Sequence, residues 1–374
     1  MNRMPRFVGA AAVAAGLLVF AAHAACAADS ATPDDTARFL AGMPPTTESP
    51  LVALRREPSW QQHAKFFDSA WSRLESRQLS KVRTWSSANL TERRPAMFYM
   101  FSGPDFLYAD AFFPDASTYV LSGLEPVGPI PDVTDLSRRS LAHALGELRT
   151  SLNTVLNYSF FKTKEMRWQF QSGQIRGTLP ILYVFLARSG KTIRDVSLVS
   201  LDKDGMLRAP GAAGSTTTEP GVKIVFSGSG GSTQTLYYFR TDLSNAGVGG
   251  SGFFKFCEQL GAADSLVKSA SYLMHQDGFS EVRDFLLARS ASIVQDDSGI
   301  PVRFFAPAAW KLHPFGRYVG PIRLFRKRHQ ATLAELFQKG RPARLDFGIG
   351  YRWRAHESNL LLAVRNSAKS RTGE

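Results

Sequence analysis

Two hydrophobic rhythms alternate along this chain. Trp60, Ala64, Phe67, Trp71 and Leu74 recur at three- and four-residue spacing, which places them on one face of a helix. Ser59 and Gln62 suit a capping box at its start, and the pattern runs on toward Trp85. The unbroken apolar run Met97–Phe101 predicts a buried strand. Ser102-Gly103-Pro104-Asp105 then forms a turn that opens a short helix over Phe106–Phe113, because proline suits a first helical turn and aspartate favours its positive end. Thr118–Leu121 is the next strand. The 103–117 connection is long enough for a parallel crossover. Leu141, Leu145, Leu148, Leu152 and Val155 mark one face of a longer helix.

Farther on, Leu182–Ala187 is apolar throughout and fits helix or strand. Asp195–Leu201 alternates as a strand and ends in the turn signal Asp202-Lys203-Asp204-Gly205. Residues 210–220 suggest a flexible loop. Lys223–Phe226 and Thr235–Arg240 predict a hairpin through the Gly/Ser-rich loop 227–232. A short aromatic helix at Phe253–Leu260, a strand at Ser269–Met274 and a longer helix from Phe279 follow. Leu345–Trp353 alternates like a strand that could pair with Asn359–Val364.

Leu236–Phe239 resembles Met97–Met100, and Leu287, Ser290, Val294 and Ser298 match Leu148, Ser151, Val155 and Ser159, both at an offset of 139 residues, while Ala270–Met274 also resembles Ser117–Leu121. An internal duplication explains this, with chance similarity of common αβ patterns as the rival. The expected fold class is α/β or α+β, a mixed sheet flanked by helices. Two related strand-helix-strand-helix units with an antiparallel C-terminal extension are its suggested organisation.

The N-terminus carries a different signal. Arg3 and Arg6 precede an apolar run from Val8 to Ala22, followed by small residues through Ala25-Cys26-Ala27. This order predicts an export signal cleaved after Ala24 or Ala27. Lipid anchoring at Cys26 is disfavoured by His23, which stands where an aliphatic residue is needed. The expected organisation is a signal peptide at 1–27, a flexible leader at 28–58 with a short helix at Thr36–Leu40, and a first α/β unit at 59–205. A second unit with a basic C-terminal segment spans 206–365, and a disordered tail spans 366–374. The expected location is periplasmic or secreted, with no transmembrane segment after signal removal.

Apolar residues make up 44% of the chain and charged ones 21%, proportions of a globular rather than a disordered protein. With Cys26 removed, Cys257 is the only thiol, and its apolar neighbours predict a buried packing role. The formal net charge of +13 is uneven. Between Lys311 and Arg354 eleven Lys and Arg face only Glu335 and Asp346. The basic centre is Arg323-Leu324-Phe325-Arg326-Lys327-Arg328-His329. Such asymmetry attracts anions. Export argues against nucleic acid and points to an anionic envelope component; a solvated basic face is the bland alternative.

Motifs narrow the chemistry mainly by exclusion. Gly247–Gly252 matches G-x-G-x-x-G. However, five residues separate it from the preceding strand, and no acid follows the next one to hold a ribose, so a glycine-rich loop is the better reading. Gly190-Lys191-Thr192 lacks the earlier glycine of a P-loop. Ser159–Lys162 and Ser265–Lys268 both fit S-x-x-K without a following K-[ST]-G. No metal or cofactor site is expected.

One constellation remains. If strands 97–102 and 117–122 are parallel, Asp105 and Glu125 share their carboxyl edge, where open α/β sheets bind ligands. Tyr108 could add a hydrogen bond, and His275 is the equivalent strand-end group if the second unit repeats the first. Asp105, Glu125 and His275 could then do acid–base work. Their alternative roles are helix cap, solvated acid and edge packing. The leading expectation is therefore a non-catalytic exported protein that binds an anionic partner through Arg323, Arg326, Lys327 and Arg328. A periplasmic hydrolase using Asp105, Glu125 and His275 and an envelope or secretion scaffold are the alternatives.

Overall fold

The computed structural model describes residues 30–134, 136–158, 160, 175–210, 219–228 and 230–366. The expected signal peptide, most of the 210–220 loop and nearly all of the C-terminal tail lie outside them.

Ten strands form one mixed sheet. In chain order they are β1 (Ala96–Tyr99), β2 (Thr118–Gly123), β3 (Thr192–Leu201), β4 (Leu207–Arg208), β5 (Glu219–Ser227), β6 (Thr233–Arg240), β7 (Ala263–Val267), β8 (Ser290–Gln295), β9 (Trp310–Gly316) and β10 (Asn359–Arg365). Their spatial order is β4-β3-β5-β6-β2-β1-β7-β8-β10-β9. The five central strands, β6-β2-β1-β7-β8, are mutually parallel. Antiparallel ladders flank them on both sides. The α/β reading therefore holds, and the expected parallel pairing of β1 and β2 is observed.

Among the described residues the α-helices of seven or more residues are α1 (Pro33–Leu40), α2 (Pro58–Leu74), α3 (Ser80–Asn89), α4 (Phe106–Phe112), α5 (Arg138–Tyr158), α6 (Leu179–Arg188), α7 (Phe253–Gln259), α8 (Ser280–Arg289) and α9 (Ala331–Gly340). They cover both faces of the sheet. Met97, Tyr99, Tyr119 and Leu121 point to one face, where α1 to α6 pack. Phe98, Met100 and Val120 point to the other, against α7 and α8. Period-two alternation sorts these residues, and burial on both faces explains the continuous apolar runs. The β1–β2 crossover carries α4 on the first face, and the β7–β8 crossover carries α8 on the second. Two right-handed crossovers stepping outward in opposite directions require this arrangement.

Several expectations change. Residues 33–56 are not a loose leader: the helix expected at Thr36–Leu40 is present within α1, residues 50–56 form a 3-10 helix, and Phe39, Leu40 and Leu51 are fully buried in the core. Pro33 and Asp34 open α1, and Thr32 caps it by accepting from the Asp35 amide. Helix α2 begins at Pro58, so Ser59 is not its cap. Residues 270–275 form a 3-10 helix rather than a strand. The strand is instead β7, which begins six residues before the expected run. Ser269 sits at φ +66°, which ends the extended backbone before Tyr272, Leu273 and Met274 can join a ladder. The helix from Phe279 stops at Arg289 and gives way to β8, so the 139-residue correspondence fails in these elements. Residues 345–353 form only an isolated bridge, Ile349 with Arg352, while β10 pairs with β8 and β9. Leu182–Ala187 proves to be helical, within α6.

Candidate functional site

The parallel strands set up the site. Residues just beyond the carboxyl ends of β1, β2, β6 and β7 line a cleft of about 220 Å³. Asp105 and Glu125 both belong to it, as the parallel reading required. Asp105 is also the cap of α4, its Oδ1 accepting from the Tyr108 amide at 3.2 Å. Its Oδ2 accepts from the Tyr99 hydroxyl at 2.9 Å and lies 2.7 Å from Lys268 Nζ. Both charged side chains are almost completely buried, Lys268 at 2% exposure and Asp105 at 1%. The Lys268 ammonium also lies 4.4 Å from the Tyr108 ring centroid, a cation–π contact. Tyr108 thus supports Lys268 from behind, and it does not line the cleft. Burial and the Asp105 carboxylate push the Tyr99 hydroxyl well above its ordinary range, which keeps it a neutral donor.

Glu125 is positioned by glycine. A Cβ at Gly123 would come within 2.4 Å of Glu125 Oε2, and one at Gly103 would come within 3.4 Å of the same atom. It is the missing side chain of Gly123, at the end of β2, that leaves room for this carboxyl to fold over the backbone. Tyr238 donates to the Glu125 carbonyl at 2.9 Å and also engages its carboxylate.

His275 is not part of this cleft. Its Nε2 lies 2.9 Å from the Gly299 carbonyl, and it lines a separate recess of about 300 Å³ with Arg303, Lys327, Arg328 and His329. Burial, with Arg328 and Arg303 nearby, pushes its imidazole down to about 4. The expected three-residue constellation therefore has its two carboxylates at one cleft and its imidazole at another. The cause is the 3-10 helix at 270–275, which carries His275 away from the sheet edge and leaves Leu273 in the cleft.

The sequence reading missed Lys268 and Ser269. Both follow β7 directly, and the misplaced strand at 269–274 hid them. Nearby, Asp296 and Asp297 form a buried acidic pair at the end of β8. Asp296 accepts from the Ser269 and Ser298 amides, at 3.2 and 3.0 Å, while Asp297 accepts from the Tyr272 hydroxyl at 2.6 Å and from Asn359 at 3.3 Å. Burial and the neighbouring Asp297 raise Asp296 to about 7. A Cβ at Gly350 would lie 1.8 Å from Asp296 Oδ2, so glycine is obligatory there. Among the described residues, no group of three or more His, Cys, Asp or Glu could hold a metal ion.

The basic segment forms its own surface. Residues 323–328 make a 3-10 turn on which Arg323, Arg326 and Lys327 are exposed and Arg328 is half-buried. Leu324 is 79% exposed between them. Phe325 points inward, its ring centroid 4.6 Å from that of Tyr272 and 5.2 Å from that of Tyr351. Tyr351 also lines the cleft, so the basic turn and the cleft share a wall. Among the described residues, no carboxylate forms an ion pair with Arg323, Arg326, Lys327 or Arg328.

Gly247–Gly252 serves packing. A Cβ at Gly252 would lie 1.8 Å from the Asp202 carbonyl oxygen, and one at Gly247 would lie 2.3 Å from that of Asp242. No helix among the described residues is long and apolar enough to cross a membrane. No family model, curated protein or solved structure matches this chain.

Proposed function

We propose that this chain is an exported protein that binds an anionic component of the bacterial envelope through its basic face. One observation carries this reading: Arg303, Lys327, Arg328 and His329 gather around one recess, next to the exposed Arg323 and Arg326, without carboxylate partners among the described residues. Cations in such a cluster repel one another, and a multivalent anion relieves that repulsion. The recess also reaches Ala331 and Thr332 at the start of α9, whose N-cap Gln330 makes no side-chain cap bond. The positive end of this helix adds to the field.

The test is the triple variant Arg326→Gln, Lys327→Gln, Arg328→Gln. Binding of the wild type to polyphosphate and to envelope fractions should weaken with rising salt, and the variant should lose most of it. Unchanged, salt-insensitive binding overturns the proposal. The export component is tested by mass spectrometry of the natural product: an N-terminus at Ala25 or Ala28 supports it, and intact Met1 in a cytosolic extract removes it.

A second reading, a periplasmic hydrolase, is favoured by the shared cleft of Asp105 and Glu125. It requires Glu125→Gln to abolish turnover without unfolding the protein.

A further inference from the structure

We infer that the cleft at the carboxyl edge accepts the hydrocarbon chain of an anionic amphiphile whose head rests against the basic turn 323–328. This deepens the anion-binding proposal and rests on it. Three features of the fold converge on it.

The first is the lining. Phe101, Leu124, Leu243, Leu273 and Phe279 make most of the cleft apolar. At its base Lys268 lies against Asp105, and the neutral Tyr238 hydroxyl engages Glu125, so these polar groups already have partners. A cleft with mostly apolar walls and polar groups already engaged gains most from an apolar occupant, because burying a chain there displaces none of those contacts.

The second is continuity. The ring of Phe325 packs on Tyr351, and Tyr351 is a wall of the cleft. The basic turn and the cleft are therefore joined through one aromatic contact, while Lys327 and Arg328 themselves line the recess that holds His275. A ligand with one apolar and one anionic end meets both surfaces at once.

The third is exposed apolar area at the same end. Leu124 at the mouth is 44% exposed, and Leu324 on the turn is 79% exposed. These side chains are placed to contact an amphiphile or the interface from which it comes. An aqueous polyanion such as polyphosphate would use the cations and leave both leucines in water.

The experiment uses the full exported chain with butyl, hexyl and octyl phosphate, all below aggregation. Hexyltrimethylammonium and polyphosphate serve as controls, and binding is followed by calorimetry. Each added methylene should tighten wild-type binding about three- to fourfold. The ammonium compound should bind at least tenfold more weakly than hexyl phosphate. Leu273→Trp, which fills the cleft, should flatten the chain-length dependence while leaving polyphosphate affinity unchanged. Leu124→Trp repeats this at a half-exposed position where folding is not at risk. The Arg326, Lys327, Arg328 triple variant should lower affinity for every alkyl phosphate by a similar factor.

Alkyl phosphates that bind with no chain-length dependence, or with the same dependence in both tryptophan variants, overturn the inference, and retained polyphosphate binding then leaves the anion-binding proposal standing. Loss of both alkyl phosphate and polyphosphate binding in the wild type removes the two together.

Discussion

Replacing Lys268 by methionine should destabilise this protein more than almost any other single change at the site. The substitution keeps the apolar stem and removes the ammonium 2.7 Å from Asp105. Asp105 then stays buried at 1% exposure, held by Tyr99 and the Tyr108 amide but without its counter-charge. Breaking a buried pair from one side costs about 3–5 kcal/mol, because the remaining charge has lost both water and partner. For 374 residues, an unfolding entropy of about 2.1 cal/mol/K per residue sums to about 0.8 kcal/mol/K. The midpoint should therefore fall by about 4–6 °C. Differential scanning calorimetry reads this directly.

Two comparisons isolate the cause. The exposed pair between Lys339 and Glu335 lies one turn apart on α9, and Lys339→Met should leave the midpoint unchanged within error. The double variant Lys268→Met, Asp105→Asn should recover at least half of the loss, since no unpaired charge remains. A Lys268→Met midpoint within 1 °C of the wild type would refute the reasoning. So would a double variant less stable than the sum of the two single changes.

Other consequences are equally direct. Burial holds the His63 imidazole down at about 4, with its Nε2 on the Leu40 carbonyl at 2.7 Å. The unfolded chain binds that proton below about pH 6.5, so stability should fall by about 3 kcal/mol between pH 6.5 and 4, and His63→Gln should flatten this slope in urea titrations. Asp296 acts in the opposite sense: its raised value means that the stability it contributes at low pH is lost as pH rises through about 7, and Asp296→Asn should remove that component. Gly123→Ala should cost about 1–3 kcal/mol, because the new methyl meets Glu125 Oε2, Gly103 Cα and the Tyr238 hydroxyl within 3.0 Å. Cys257 is fully buried, and burial raises its thiol well above the usual range, so alkylation at this residue should follow global unfolding rather than native-state exposure.

Much of the central fold was legible in local pattern. The runs at Met97–Phe101 and Thr118–Leu121 predicted two strands, the 103–117 connection was long enough for a parallel crossover, and these became the parallel strands β1 and β2. From that pairing alone, Asp105 and Glu125 were placed at one edge, and the cleft contains both. Regular periodicity carried this information because each element buries a continuous face of its own sequence. The region around Ser269 was illegible for the opposite reason. Tyr272, Leu273 and Met274 are apolar in succession, a pattern shared by strands and by tight helical turns, and only Ser269 at φ +66° and the Asp296 carboxylate on its amide fix the choice.

The sequence by itself determined the α/β class, the parallel pair at the centre, the strand-end acids and the basic character of the turn at 323–328. Each depends on residues close together in the chain, where spacing and side-chain type act directly. Tertiary structure alone decided that Lys268 neutralises Asp105 across the sheet, that His275 faces another recess, and that Phe325 ties the basic turn to the cleft through Tyr351. Those contacts join segments tens to hundreds of residues apart, and it is packing of the folded sheet, not local propensity, that brings their side chains together.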